Sequence, residues 1–444
     1  MFPLLFITTL VAIPNGISTP PSVTQTVEAS AVDGSSPEWT ASVQGGAGRL
    51  SADPVVMLRP RLTFTGQRVR LAVSAPLFLK IADQSPPAAP ANGAAPITWT
   101  NDWHNGEAYM AWLEELQYTS KRGAVELRLG QLRRQTLGHG TLVDNYTASY
   151  DPSQPRSGGR FVVSTDTVEV KLLADGLIRP RLVAASFAVA PFQIDNREAE
   201  DAFTIAFEIA GDMRAPYLDG VSQVGGADIV VTGAPFVGDE VMWSLYFAGG
   251  SFYTPLTSGV MGGNLGTELQ WARGRDALLM RLEGTASASG YDPAYFDDQY
   301  SAERASVANV RAAKADMVAP AGYGARGRIE FTNGPITLGS SLQHSFASSA
   351  NKPTRASLYA EWTADMWHVA ARISQRSVRN GSDWFALGNN SLALVDASVR
   401  VTGEWFAYTL LHHGVRAGDN GIVTPVSDWI VGVGYGMAGT LDKL

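Results

Sequence analysis

Arg326-Gly327-Arg328-Ile329-Glu330-Phe331, then Asn333-Gly334, then Ile336-Thr337-Leu338 is where the fold is most legible. Arg326, Arg328 and Glu330 share one side of an extended chain, and Ile329 and Phe331 share the other, because strand side chains alternate with a period of two. Asn-Gly between two such arms is a strong hairpin signal. The pattern continues to Val378. Ala356, Leu358, Ala360 and Trp362 oppose Arg355, Ser357, Tyr359 and Glu361. After a tight Ala364-Asp365-Met366 turn, Trp367, Val369, Ala371 and Ile373 oppose His368, Arg372, Ser374 and Arg376. Each strand has one apolar and one charged face. An antiparallel sheet with one wet side has this pattern. So does a transmembrane barrel with lipid outside and water inside.

The rest of the chain favours the barrel. It has 444 residues, only 17% of them charged, with a net charge of −8 and a mean hydropathy of −0.02. No run of about 18 apolar residues occurs, so no helical span is expected. The absence of cysteine removes disulfides, thiolate chemistry and cysteine-based metal sites. An acidic balance argues against nucleic acid as a partner. Met1 to Ile13 has the apolar length of a signal peptide, with Gly16 and Ser18 placing cleavage after Ser18. Residues 19–36 are expected to be a flexible leader and residues 37–444 a single barrel domain.

Connection lengths alternate. Tight turns are expected at 66, 121, 166, 274, 333, 365 and 403, with long irregular connections at 82–106, 133–157, 289–322, 378–391 and 417–424. Up-and-down barrels have short periplasmic turns and long outer loops. The expected fold is therefore all-β: an antiparallel up-and-down transmembrane barrel of about 18 strands, within about 16–20. Between about 160 and 240 the strands are short and weakly marked, and Gly262-Gly263-Asn264-Leu265-Gly266 reads as a turn.

Charges on the strand faces cannot point at lipid without a cost of roughly 2–4 kcal/mol for Arg or Lys near the midplane. The candidate pore-lining residues are therefore Arg70, Arg128, Arg281, Arg326, Arg328, Glu330, Arg355, Glu361, Arg372, Arg376 and Arg400, with Arg133 and Arg134 at a strand end. Glu330 and Glu361 are the expected partners of the arginines near them. A basic lumen would select solutes by charge; a salt-bridge ladder that merely lines the wall would use the same residues.

Gln131-Leu-Arg-Arg-Gln-Thr-Leu-Gly-His-Gly-Thr-Leu-Val-Asp-Asn-Tyr146 is the most distinctive segment. Gly138 and Gly140 suit either an inward-folded constriction loop or a glycine-punctuated outer loop. Arg134-Gln135, followed by Gly138, Gly140 and Leu142-Val143, resembles the strand-to-loop passage of large proteobacterial outer-membrane barrels of the alginate-export and porin type. The resemblance implies passive passage of small or anionic solutes across an outer membrane, with lipid and lipopolysaccharide around the barrel.

No cofactor or metal is expected. Adjacent His412 and His413 point to opposite faces of a strand, and no histidine sits in a nucleophile motif. The loop 289–322 carries Tyr291, Tyr295, Phe296 and Tyr300 among Asp292, Asp297 and Asp298. It reads as a solvated lid over the mouth, or as a site for a surface partner or divalent cation. The second function class is thus a non-conducting surface anchor or adhesin.

Overall fold

The computed structural model describes residues 37–50, 53–81, 106–121, 123–148, 156–165, 167–191, 203–217, 220–238, 240–297, 300, 306–307, 314, 319, 321–346, 354–364, 366–376, 378, 383, 391–417 and 422–440. The expected signal peptide and leader lie outside them.

Along the chain the strands are β1 (Glu38–Leu50), β2 (Asp53–Thr65), β3 (Val69–Ser74), β4 (Leu77–Lys80), β5 (Leu113–Thr119), β6 (Val125–Gly130), β7 (Gly158–Ser164), β8 (Val168–Ala174), β9 (Leu182–Val189), β10 (Phe203–Tyr217) and β11 (Gly220–Val237). There follow β12 (Val241–Thr254), β13 (Thr257–Arg273), β14 (Asp276–Ser287), β15 (Ser306–Val307), β16 (Gly322–Asn333), β17 (Ile336–Ser345), β18 (Arg355–Thr363), β19 (Trp367–Gln375), β20 (Ser391–Thr402), β21 (Trp405–Ala417) and β22 (Ile422–Thr440). Pro76 breaks one barrel strand into β3 and β4, which both pair with β2. Strand β15 only adds a parallel bridge to β22. Every other neighbour is antiparallel, and β1 pairs with β22, so the described strands close a ring of twenty. Closure leaves no open edge of unpaired backbone, which a membrane would penalise.

The strand ends flanking all seven expected tight turns lie on one rim, together with Gly238 and Val241 and the ends of β1 at Glu38 and β22 at Thr440. Three short hairpins at the opposite rim were not expected: Leu50 pairs Asp53, Tyr217 pairs Gly220, and Thr254 pairs Thr257. The Asn333-Gly334 signal is displaced by one residue. Asn333 stays in the ladder opposite Ile336, and the loop is Gly334-Pro335, with Gly334 at φ 52°.

The expected turn at Gly262–Gly266 is instead the middle of β13. A Cβ at Gly262 would come within 2.2 Å of the Tyr291 ring, and one at Gly266 within 2.3 Å of the Tyr246 ring. These glycines make room for aromatic rings inside the barrel.

The outer face is an apolar belt. Leu265, Leu282, Phe247, Ile329, Leu338 and Val433 stand exposed on it, while their strand neighbours Glu268, Arg281, Glu283, Arg328 and Glu330 are buried inside. Trp243, Trp362, Trp367 and Trp405 ring the short-turn rim on the outside. Aromatic girdles at both interfaces and a dyad pattern mark membrane barrels.

Candidate functional site in the barrel interior

The wall supplies charge by register. Arg281 of β14 lies opposite Arg328 of β16, and Glu283 opposite Arg326. On the other side Arg281 lies opposite Glu268 of β13. Two arginines facing each other in a buried place need anions around them. Glu268 Oε2 takes Arg281 Nη2 at 2.6 Å, Glu283 Oε2 takes Arg326 Nε at 2.5 Å, and Glu330 Oε2 takes Arg328 Nη2 at 3.0 Å.

The remaining anion comes from the loop. After β6 the chain turns inward through Gly130 and Arg134, both at positive φ, and doubles back. Gln135 and Tyr146 form an antiparallel bridge, with N–O distances of 2.7 and 2.8 Å. Asp144 then sits among three guanidinium groups, 3.1 Å from Arg328, 3.8 Å from Arg326 and 3.9 Å from Arg281. Burial pushes its carboxyl up, but the three arginines outweigh burial and hold it below the ordinary range. Loop carbonyls are used as well: Arg326 Nη1 donates to Gly140 O at 2.8 Å, and Arg281 Nη1 to His139 O at 2.5 Å. His139 stacks on Tyr246 with ring centroids 3.9 Å apart.

A second loop docks on the first. Val143 and Phe296 form a parallel bridge, and Ala294 N donates to Thr141 O at 2.8 Å. Tyr291, Tyr295, Phe296 and Tyr300 pack with Leu132, Leu137, Leu142, Val143 and Tyr146 into a buried apolar cluster against the inner wall. The expectation of a solvated lid is thereby corrected for the described part of this loop. Asp292 and Asp297 are held by Arg355 at 2.8 and 2.9 Å, with Lys314 3.7 and 3.9 Å away. Burial pushes Asp292 up, yet Arg355 and Lys314 bring it down to about 2. Asp292 and Asp297 thus anchor the loop to β18 rather than present a cation site, and Asp298 lies outside the described residues. The open alternative for residues 131–148 resolves to the inward-folded loop.

The other flank of the interior is different. A bulge in β5, where Ala72 faces Glu115 but Val73 faces Leu113, turns both Glu114 and Glu115 inward. Glu114 binds Arg59, Arg61 and Ser74. Glu115 lies 3.3 Å from both Arg70 and Arg128.

Between this flank and the loop lies a cavity of about 190 Å3. Its charged lining is Arg59, Arg133, Arg134, Arg156 and Arg372 against Glu361 and Asp396. Met57, Phe78, Leu132, Leu394 and Leu410 supply apolar surface. Arg134 is fixed by Glu330 at 2.9 Å and lies 3.7 Å above the Tyr359 ring. Arg372 Nη1 reaches Thr147 at 3.3 Å. Arg133 is exposed into the space, with Gln131 Oε1 3.4 Å away.

The expected pore-lining residues therefore separate into groups. Arg133, Arg134, Glu361 and Arg372 meet at the cavity. Arg281, Arg326, Arg328 and Glu330 are brought together under the loop, and Arg355 under the second loop. Arg70 and Arg128 brace the β5 bulge. Arg376 is buried just past β19, and Arg400 is exposed near the short-turn rim. Sequence reasoning missed Arg59, Glu114, Asp144 and Arg156. Only a structure shows the bulge that turns Glu114 inward, and nothing near Asp144 in the chain marks the arginines that meet it.

No family model matches the chain, and no curated protein matches it. Among solved structures it is similar to a BenF-like porin from Pseudomonas fluorescens Pf-5, at 10% identity and a TM-score of 0.32, over 92% of this chain and 100% of that one. It is also similar to the outer membrane protein OprD from Pseudomonas aeruginosa, at 9% identity and a TM-score of 0.33, over 91% of this chain and 94% of that one. A third is OccAB4 from Acinetobacter baumannii, at 8% identity and a TM-score of 0.32, over 94% and 100%. At such scores the likeness adds nothing to the geometry above.

Proposed function

We propose that this chain is an outer-membrane channel for passive passage of small solutes, with a preference for anions. The cavity between the docked loop and the β2–β5 flank supports the reading: five arginines and two carboxylates line it. A barrel of about this size leaves an aqueous path unless it is filled, and the described loop residues brace the wall from β10 to β19, with the cavity left between them and the β2–β5 flank. Charged side chains at a constriction set selectivity. Arg133, Arg134 and Arg372, with Arg59, are the residues on which anion preference rests, and Glu361 and Asp396 provide the opposing charge.

The apolar belt and its tryptophans suit a lipid surround, with lipopolysaccharide at the long-loop rim; no nucleic acid is involved. The role is passive rather than enzymatic. His412 turns inward to Asp428 at 3.3 Å while His413 turns outward to Ser427 at 2.8 Å. A serine, a histidine and an acid thus do not converge on one imidazole there.

The apolar cluster formed by the two loops favours a second reading, a non-conducting surface protein whose barrel is filled. Liposome swelling separates the two. Vesicles carrying the refolded protein should swell in small sugars and organic anions and stop at a size cut-off. Swelling no faster than that of protein-free vesicles would leave the second reading.

A further inference from the structure

Another cluster holds the same loop on the β10–β11 side. Glu208 of β10 pairs directly across from Asp228 of β11, and both are buried. Thr141 of the loop, fully buried, sets its hydroxyl against both: 3.3 Å from Glu208 Oε2 and hydrogen-bonded to Asp228 Oδ2. A threonine hydroxyl has one hydrogen to donate and can also accept. It can serve one carboxylate; the other can bond only by bringing its own proton. Glu208 Oε1 and Asp228 Oδ1 meet no partner among the described residues. Glu208 Oε1 presses on the loop itself, where a Cβ at Gly138 would lie 1.7 Å away.

The surroundings leave the pair short of cations. Ser186 of β9 and Gly250 of β12 flank it in register. Lys171 of β8, next along that row, is bound to Glu169 at 2.7 Å. Arg281 of β14 is committed to Glu268 and Asp144. From the loops, His139 faces Thr232 and Glu268, and Tyr291 covers Gly262.

We propose that Glu208 and Asp228 share one proton through Thr141, and that this proton latches the loop 131–148 to the wall. Loss of the proton leaves two buried anions facing each other, which is strongly unfavourable, and lifts residues 138–141 away. The channel then widens as pH rises. That consequence rests on the conducting reading; the movement of the loop does not.

The chain has no cysteine, so Val143→Cys places a single thiol under the loop at a fully buried position. Maleimide labelling of the refolded barrel is compared for V143C with and without Glu208→Gln, from about pH 5 to about pH 9, a span that takes in ordinary and raised carboxylates. Both proteins are read at the same pH, so the thiol's own ionisation cancels. Expected is a ratio near one in acid, rising by up to about tenfold per pH unit, the slope of a one-proton linkage. Asp228→Asn, in place of E208Q, should abolish the rise equally and serves if E208Q fails to fold. A ratio that stays at one across the range overturns the latch. So does a rise removed by His139→Gln instead, or faster labelling in acid on adding EDTA, which would put a metal where the proton is assigned. A barrel whose labelling follows the expected course but which passes no current sinks the conducting reading and leaves the latch standing.

Discussion

Asp144 and Arg328 stand 3.1 Å apart across 184 positions of chain, one on a loop and one on the wall. With Arg281 and Arg326 also within 4 Å of the carboxylate, this contact fixes where the loop sits and hence which part of the interior stays open. The arginines that alternate so clearly in β16 thus clamp the loop, and the cavity is lined by others.

Replacing Asp144 with asparagine leaves three buried guanidinium groups without their shared anion. Removing one partner of a buried ion pair costs roughly 3–5 kcal/mol. In D144N the loop should unseat, and single-channel recordings should show a larger, noisier open level. A level as quiet and as small as that of the parent would mean the loop is held by something else.

The same carboxyl predicts an acid limit. Its folded value lies below the ordinary one, so its contribution is complete above the unfolded value of about 3.9 and fades as pH falls through the folded value. The Asp144 clamp, as distinct from the Glu208–Asp228 latch, should hold from neutral pH down to about pH 4 and weaken only in stronger acid. Tyrosine fluorescence followed on acidification should show this loss in the parent and not in D144N.

Gly339 tests the seat of Arg134. It pairs with Tyr359, and a Cβ there would come within 2.0 Å of the ring on which Arg134 rests. Gly339→Ala should displace ring and guanidinium together and cost about 1–3 kcal/mol of overpacking. Gly45, where a Cβ would meet nothing within 4 Å, should accept alanine at little cost. Urea unfolding of both variants in vesicles checks the difference; equal midpoints would refute it.

The outer belt predicts a lipid effect. Leu265, at the middle of β13, is 66% exposed. Leu265→Arg should cost roughly 2–4 kcal/mol in vesicles, as for a cation near the bilayer midplane. An unfolding midpoint in lipid equal to that of the parent would argue that this face does not meet hydrocarbon.

The strands legible in the sequence were those whose side chains differ between faces. In β16 to β19 arginine, glutamate and aromatics mark the period of two, and the turns follow from it. From β10 to β13 it fades, because Gly225, Gly226, Gly249, Gly250, Gly262 and Gly263 carry no side chain to show a face. Gly249 and Gly250 sit opposite Gly263 and Gly262, and Gly225 opposite Gly211, so the strands run on through stretches that look like turns. The hairpin ends at Tyr217–Gly220 and Thr254–Thr257 were not marked, while the twenty strands that close the ring fall within the expected range of about 16–20.

The interior was half legible. Inward arginines followed from the cost of facing lipid, and Gly138 and Gly140 hinted at a close approach. The cluster of Tyr291, Tyr295, Phe296 and Tyr300 was misread because its acidic neighbours suggested solvent, whereas Arg355 neutralises them from β18. Asp144, Glu114 and the Glu208–Asp228 pair take their meaning from residues dozens to hundreds of positions away.

Ion selectivity in a planar bilayer under a salt gradient tests the proposed channel most directly. Discrete current steps with a reversal potential on the anion side, moved toward cations by Arg133→Glu, are the predicted result. An absence of steps, or a cation-selective reversal potential that R133E leaves in place, would contradict it.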